Sequence, residues 1–178
     1  MGRLSPADFL TVYGFRRRPS VGGGVFALDL QTGKQVWHVA PPKPACAGQY
    51  GCSPAQMAPP TLIPGILFAG SLDGHLRAHD TRDGRVIWDF DTAQDFKTTN
   101  GVHAHGGSLN GAGPAILNSM LFVNTGYTNA MAGNVLLAFA LDPGQNQRTN
   151  VTDKNLRPER KPASLPRLRA KATAIPRF

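Results

Sequence analysis

The segment between Asp89 and Gly113 concentrates the side chains of this sequence that are best suited to chemistry. Its candidate groups, set among glycines, are Asp91, Asp95, Lys97, Asn100, His103, His105, Ser108 and Asn110. Lysine supplies a positive charge, asparagine and serine supply hydrogen-bond donors and acceptors, and aspartate can accept a proton. This density of polar groups exceeds what a connection between strands requires, so the segment is the predicted ligand-binding region.

Simpler interpretations of the same residues stand beside this one. Lys97 can be a solvated loop lysine, and Asn100-Gly101 is a common turn dipeptide. His103 and His105 would lie on one side of an extended segment, but no third metal ligand follows at a suitable spacing. The sequence therefore predicts no metal site from these residues, and it does not identify a catalytic base.

A repeated pattern indicates which elements position this segment. Ala-x-Asp-x-x-Thr-Gly-x-x-x-Trp runs from Ala27 to Trp37 and recurs from Ala78 to Trp88, where Asp83-Gly84 replaces Thr-Gly. Each copy predicts a strand, a turn that needs glycine at a positive φ, and a second strand that delivers a tryptophan. The aspartate can accept hydrogen bonds from turn amides, and the tryptophan offers an apolar face for packing between neighbouring sheets.

Further strands flank the two copies. The run from Ile63 to Ser71 predicts one buried strand ahead of the second copy, so that this unit has three strands. A third unit begins at Pro114, with predicted strands from Met120 to Gly126 and from Asn134 to Phe139. Its pattern stops after Asp142 without a tryptophan.

Repeated sheets of this size are typical of propellers. The predicted fold class is all-β, a partial β-propeller of about two and a half tryptophan-docking blades with disordered termini. Residues 1–20 are an irregular N-terminal segment, residues 21–142 are the blades, and residues 143–178 are a basic, Pro-rich, disordered tail. An incomplete array exposes an edge, so assembly with other propeller blades is also expected.

The net charge of +8 resides in the terminal segments. Residues 1–20 carry a net +3, residues 143–178 carry +7, and the repeats between them carry −2. The net positive charge of the chain is therefore no evidence for nucleic-acid binding by the blades. We also expect no membrane span and no signal peptide in this chain, because neither a long apolar run nor a signal-like N-terminal pattern occurs.

Two cysteines, Cys46 and Cys52, are separated by five residues in a loop rich in proline and glycine. This arrangement is compatible with a small disulfide loop in an oxidising compartment. A pair of free thiols is the alternative, and the spacing is not a common zinc pattern.

The repeats and the stretches around them resemble the quinoprotein dehydrogenases, which use pyrroloquinoline quinone (PQQ), and within them the polyvinyl-alcohol dehydrogenase branch. The stretches that carry this resemblance are Cys52 to Gln56, Gly70 to Ala78, Trp88 to Ala93, Phe96 to Val102 and Gly133 to Phe139. The chain resembles a C-terminal fragment of such a PQQ-repeat propeller, over about residues 21–142.

The resemblance implies an eight-bladed, periplasmic or secreted propeller that oxidises secondary or polymeric alcohols with PQQ and calcium and passes electrons to cytochrome c. PQQ is a planar tricarboxylate with an ortho-quinone, so its site needs cations and amide donors, and calcium needs oxygen ligands. The predicted cofactor-binding residues are Lys97, Asn100, Ser108 and Asn110.

This sequence departs from the family in lacking a Cys-x-x-Cys-His haem motif, a signal peptide and most of the blades. Whether the chain itself is an enzyme is therefore left open. One alternative is a non-catalytic propeller scaffold that binds protein partners, which would not need charged groups at the channel mouth. Another is an inactive truncated gene product, favoured by the loss of pattern after Asp142.

Overall fold

The protein is built from antiparallel sheets joined by turns and loops. The computed structural model describes residues 3–5, 23–46, 48–128, 130–141 and 168–174. These residues form strands and turns, which confirms the all-β class. Among them there is no helix long and apolar enough to span a bilayer.

The strands group into three large sheets and one small one. The first sheet, in the order β1-β2-β3, contains β1 (Arg3–Ser5), β2 (Val25–Leu28) and β3 (Gln35–Val39). The second sheet, in the order β4-β5-β6-β7, contains β4 (Thr61–Ile63), β5 (Ile66–Gly70), β6 (His75–Asp80) and β7 (Val86–Asp91). The two-stranded sheet contains β8 (Asp95–Phe96) and β9 (Ala104–His105). The third large sheet, in the order β10-β11-β12-β13, contains β10 (Ala115–Leu117), β11 (Met120–Thr125), β12 (Val135–Leu141) and β13 (Leu168–Ala174).

The second sheet has one strand more than the sequence predicted. The run from Ile63 to Ser71 is not a single strand, because the chain reverses at Pro64-Gly65 and pairs Ile63 with Ile66. Proline fixes its own φ and lacks an N–H, and Gly65 has a φ of 85°, so this dipeptide forms a tight turn. The apolar run conceals the turn because residues on both sides of it are aliphatic.

The third sheet acquires its last strand from the tail. Leu168–Ala174 pairs with Leu141–Val135 in an unbroken antiparallel register, whereas the sequence predicted a disordered tail over the whole of residues 143–178. Small apolar residues alternate with basic ones and a threonine along this strand, as they do in a half-buried strand. Alanine is a poor strand former, so propensity alone conceals the pattern. The rest of the predicted tail, residues 143–167 and 175–178, lies outside the described residues. So does the predicted N-terminal segment apart from Arg3–Ser5.

Docking of Trp37 joins the first sheet to the second. The indole Nε1 of Trp37 donates a 3.1 Å hydrogen bond to the carbonyl oxygen of Thr81, in the β6–β7 turn. Its ring lies against Gly84 so closely that a Cβ at Gly84 would be 2.6 Å from ring carbon Cε3. The predicted role of the tryptophan as a contact between neighbouring sheets is thereby confirmed.

The two faces of the second sheet fill two separate cores. Phe68, Leu76 and Ala78 face the third sheet and pack with a larger apolar cluster. Its other members from the third sheet are Leu121, Val123, Val135, Leu137, Phe139 and Ala172. Leu67 and Ala69, which alternate with Phe68 along β5, pack instead with Val25 and Trp37 of the first sheet. Trp88 also contacts the next sheet, because its ring meets that of Phe139 edge-on at 5.4 Å.

A buried arginine holds the β5–β6 turn. The guanidinium of Arg77, only 4% exposed, donates to the Asp73 carboxylate at 2.9 Å and to the Ser71 hydroxyl at 2.7 Å. It also reaches Asp89 of β7 at 3.2 Å. Burial pushes the pKa of Asp73 upward, but the hydrogen bonds from Arg77 and Ser71 outweigh it and hold that pKa below its usual value. These charges are therefore structural and connect the turn to the outer strand.

His79 lies on the face of β6 that is directed at the first sheet, opposite Leu67 in the register. Its ring is 1% exposed, and Nδ1 donates to the carbonyl oxygen of Gly84 at 2.8 Å. Among the described residues Nε2 has no hydrogen-bond partner. Burial in these surroundings lowers the pKa of His79, so the folded protein holds the ring in its neutral form.

Two glycines at equivalent repeat positions allow the docking contact to be tested. Gly33 and Gly84 both have positive φ, 68° and 78°, but only Gly84 lies against a neighbouring tryptophan, and nothing lies within 4 Å of a Cβ at Gly33. We expect Gly84→Ala to lower the unfolding free energy by about 1–3 kcal/mol more than Gly33→Ala, because only the former displaces Trp37. Urea denaturation of both variants measures the difference, and equal losses would contradict the docking role.

The neutral state of His79 predicts a pH dependence of stability. The pKa of His79 in the folded state lies below the unfolded value of about 6.5. In acid, the imidazole therefore binds a proton in the unfolded chain before it does so in the folded chain. The unfolding free energy should therefore be constant above about pH 7 and fall as the pH drops below about 6.5. Urea midpoints across this range measure the slope, which His79→Gln should reduce. The exposed control His103→Gln should retain it, and an unchanged slope in His79→Gln would exclude this cause.

Candidate functional site

The long connections meet at one end of the sheets. The register pairs His75 with Asp91, so the β5–β6 turn and the segment that leaves β7 lie at the same end. The connection from β3 to β4 joins them there, because the Leu72 amide donates to the Ala55 carbonyl oxygen. We call this end the loop face. The opposite end carries the short turns, where the Thr81 amide donates to Gly65.

The predicted ligand-binding segment contains the β8–β9 pair. Asp95 and Phe96 pair with His105 and Ala104, and the Phe96 ring lies 6.4 Å from that of Phe90 on β7. His105 Nδ1 donates to Asp95 at 2.9 Å, and this bond lowers the pKa of Asp95. His103 lies 3.6 Å from the same carboxylate oxygen. Both histidine rings therefore face the Asp95 carboxylate. Among the described residues, no group of three or more His, Cys, Asp or Glu side chains is arranged to hold a metal ion.

Lys97 and Asn100, two of the predicted cofactor-binding residues, lie at the outer edge of the array. Both side chains are exposed. Between them, Thr98 bridges to Ala172 and the Thr99 amide donates to the Ala172 carbonyl oxygen at 3.0 Å. Ala172 belongs to β13, the last strand of its sheet, so this part of the segment runs between the outermost strands.

Ser108 and Asn110, the other two predicted residues, lie deeper in the loop face. Ser108 is 1% exposed, and its hydroxyl donates to the Leu72 carbonyl oxygen at 2.6 Å and accepts from the Met131 amide at 3.1 Å. Its backbone also pairs with Met131 and Gly126. Ser108 thus fastens both ends of the β11–β12 loop to the β5–β6 turn, and its hydroxyl is already used in the fold. The structure does not bring the four residues around one point.

An open cleft of about 570 Å³ lies beside Asn110 on the loop face. The side chains that line it come from four connections, β3–β4, β5–β6, β9–β10 and β11–β12. They are Tyr50, Met57, Leu72, Asn110, Tyr127 and Thr128, with Gly51 and Ala130 at the closest approach of two loops. No Asp, Glu, Lys, Arg or His is among the described residues of this lining.

The Cys46–Cys52 disulfide closes the loop that contributes Tyr50 and Gly51 to the cleft lining. The bond is present in the structure, so the disulfide interpretation of the cysteine pair is confirmed over free thiols. Within the loop, the Gln49 amide donates to the Cys46 carbonyl oxygen at 3.1 Å. Gly51, with a φ of 78°, lies so near Ala130 that a Cβ there would be 2.5 Å from the Ala130 Cα. The disulfide loop therefore rests directly on the β11–β12 loop, and Tyr50 projects beside it with 87% of its surface exposed.

Comparison with known proteins identifies the family. The family model for PQQ repeats, described as outer membrane protein assembly factor BamB, matches residues 19–164. The chain belongs to the PQQ-repeat propeller family. This match includes the docking tryptophans, the disulfide loop and the segment from Asp89 to Gly113.

Relatives of this PQQ-repeat chain include alcohol dehydrogenases. Polyvinylalcohol dehydrogenases from a Pseudomonas species and from a Sphingopyxis strain are 41% identical over 131 residues and 39% identical over 133 residues. Each match covers 67% of this chain and 20% of the relative. A quinohemoprotein alcohol dehydrogenase from Pseudomonas putida is 26% identical over 140 residues, covering 77% of this chain and 18% of the relative. The chain spans about one fifth of the length of these proteins.

No PQQ site is shown among the described residues of this PQQ-repeat chain. A tricarboxylate requires cations, but the cleft lining contains none, and Lys97 lies at the outer edge. The Ser108 hydroxyl donates its only proton to Leu72 and accepts from Met131. Direct roles of Lys97, Asn100, Ser108 and Asn110 in cofactor binding stay predictions, and of the four only Asn110 lines the cleft.

Tyr50 and Tyr127 are the functional candidates that sequence reasoning missed. Each lies next to a glycine, in Tyr50-Gly51 and Gly126-Tyr127, and an aromatic ring in a Gly-rich loop is a weak sign of a binding surface. Nothing in their spacing links them, because one precedes the second sheet and the other lies within the third.

Ser108 provides a test of the difference between a structural and a ligand-binding role. Ser108→Ala leaves the Met131 amide and the Leu72 carbonyl oxygen without that hydroxyl, so we expect a loss of about 1–3 kcal/mol in unfolding free energy without any ligand present. Lys97→Ala is the matched control from the same predicted set, and as an exposed residue it should change stability by less than about 0.5 kcal/mol. Chemical denaturation measures both, and a neutral Ser108→Ala variant would refute the fastening role.

Proposed function

We propose that this chain supplies blades to a PQQ-dependent alcohol dehydrogenase of the polyvinylalcohol dehydrogenase type. The complete enzyme would oxidise secondary or polymeric alcohols and pass the electrons to cytochrome c. The observation that carries the proposal is the 41% identity to a polyvinylalcohol dehydrogenase over 131 residues. The Cys46–Cys52 disulfide supports a periplasmic or secreted location, because such bonds persist in oxidising compartments.

The part of this function that the chain's own residues perform is recognition at the loop face. PQQ, when bound in the complete enzyme, would supply the ortho-quinone that accepts two electrons from the alcohol. Since this chain spans only 20% of its relative and shows no such site among its described residues, we assign the cofactor and calcium contacts chiefly to other blades. The residues of this chain would position the alcohol, with the cleft beside Asn110 as the surface that receives it and the disulfide loop as its fixed wall.

A chimera tests this proposal directly. The segment of the Pseudomonas polyvinylalcohol dehydrogenase that aligns with this chain is replaced by the chain's own residues. We expect the chimera to reduce an artificial electron acceptor when given PQQ, calcium and polyvinyl alcohol, because the blades should dock through Trp37 and Trp88 as in the structure. The control is a chimera with Trp37→Ala, which should lose both stability and activity.

A chimera that folds and binds PQQ but oxidises no alcohol would count against the enzyme proposal. That outcome would favour a second candidate, a propeller scaffold that binds protein partners. The observation in its favour is the matching family model, which is described as an assembly factor.

A further inference from the structure

The tail strand β13 brings a second lysine to the predicted ligand-binding segment. Thr98 forms a parallel bridge with Ala172 of β13, and the Thr99 amide donates to the Ala172 carbonyl oxygen at 3.0 Å. Lys97 and Lys171 immediately precede the two bridged residues, so they are neighbours across this pairing. The sequence could not reveal this arrangement, because Lys171 belongs to the distant tail.

The side chains that flank the bridge are directed away from the core. Ala172 is 6% exposed and packs in the large apolar cluster, whereas Lys171 before it is exposed. Successive side chains of a strand point to opposite faces, so Lys171 and Thr173 share the outer face. On the facing segment, Lys97 is exposed, and the Thr99 hydroxyl oxygen lies 2.8 Å from that of Thr173. The two segments therefore present one continuous outer surface.

We propose that this outer surface binds a phosphate group. The residues that form the site are Lys97, Thr99, Lys171 and Thr173, and we call them the lysine–threonine site. The inference goes beyond the proposed function and does not depend on it. A phosphate group bound at this site would contact both β13 and the segment 97–99 and would hold them together.

The charge of the two lysines is not compensated within the described part of the chain. Like charges that face each other across neighbouring strands are destabilising unless an anion lies between them. Among the described residues, no carboxylate lies within salt-bridge distance of either ammonium group. Asp95, two positions before Lys97, instead accepts a hydrogen bond from His105 at 2.9 Å. A phosphate dianion therefore matches the charge of the lysine pair.

The donors of the site also fit the oxygens of phosphate. Each ammonium group has three donors and no acceptor. One of the two threonine hydroxyls donates to the other, which leaves the proton of the second hydroxyl for an external acceptor. Hydrogen bonds from charged donors to phosphate oxygens are stronger than those between neutral groups. The lysine–threonine site thus offers the chemistry that recognises a phosphate group rather than a cation.

Phosphate would strengthen a pairing that is weak without it. The segment 97–99 meets β13 at one isolated bridge, whereas β12 and β13 pair over seven residues. A ligand that contacts both lysines stabilises the closed pairing and does not bind the open one, so opening becomes less frequent. The exchange of the Thr99 amide, which donates across this pairing, reports on that opening.

The test is hydrogen exchange of the Thr99 amide in the full chain, measured by NMR with inorganic phosphate as the probe. Chloride keeps the ionic strength at about 0.15 M in every sample, so that general screening does not change. For an open site we expect a Kd on the order of 2 mM, so about 20 mM phosphate should slow exchange roughly tenfold. Lys97→Gln and Lys171→Gln each remove one charge and should reduce the slowing to less than about twofold.

Two further variants complete the test. Lys34→Gln is the matched control, because Lys34 is an exposed lysine immediately before β3, and it should retain the full effect of phosphate. Lys171→Glu places a carboxylate opposite Lys97, so exchange should be slow without phosphate and phosphate should no longer change it. Circular dichroism of each variant verifies that the fold is kept, which the exposure of these lysines favours.

Three outcomes would overturn the proposal. They are no slowing by phosphate, equal slowing in the two lysine→Gln variants, and greater slowing by acetate, which carries a single charge, at the same concentration. Glycerol 1-phosphate distinguishes the two sources of the ligand. Slowing by inorganic phosphate alone would assign the site to the free ion, and slowing by both compounds would assign it to a phosphate group in either form.

Discussion

Docking of a tryptophan from one sheet onto the turn of the next is the contact on which the other features of this protein depend. A sheet of three or four strands has two faces and cannot bury both alone. Trp37 solves this for the first pair of sheets by combining an apolar face with one directed hydrogen bond to Thr81. The glycine beneath the ring allows the approach, and the buried His79 lies in the same interface.

The loop face is a consequence of this stacking. Connections from all three large sheets meet at this end, as the hydrogen bonds of Leu72 with Ala55 and of Ser108 with Met131 show. Hydrogen bonds from Ser108 and the contact of Gly51 with Ala130 then fasten these connections to one another. A binding surface arises from residues between Tyr50 and Ala130 that no single connection could supply.

Much of the fold could be predicted because its signals are local. The spacing from Ala27 to Trp37 encodes a strand, a turn and a docking residue within eleven positions, and Asp29 accepts the turn amides as expected. The turn at Pro64-Gly65 and the strand Leu168–Ala174 were missed, the first because aliphatic residues flank it and the second because its partner strand is distant in sequence. The cleft could not be predicted at all. Its lining depends on which loops touch in three dimensions, and the polarity of Ser108 gave no indication that its hydroxyl would be directed inward.

The difference between Gly33 and Gly84 gives the array a direction. At Gly84 the turn receives the tryptophan of the preceding sheet, whereas at the equivalent Gly33 no described atom lies close enough to touch an added Cβ. The turn of the first sheet is thus an acceptor that no described tryptophan contacts, while the second sheet donates Trp88, which packs on Phe139 of the third sheet. Such contacts are heterologous, and units joined by them continue head to tail until the rotation between neighbours closes a ring. Growth at the acceptor end therefore requires an incoming blade that presents its own tryptophan, which gives assembly a fixed polarity.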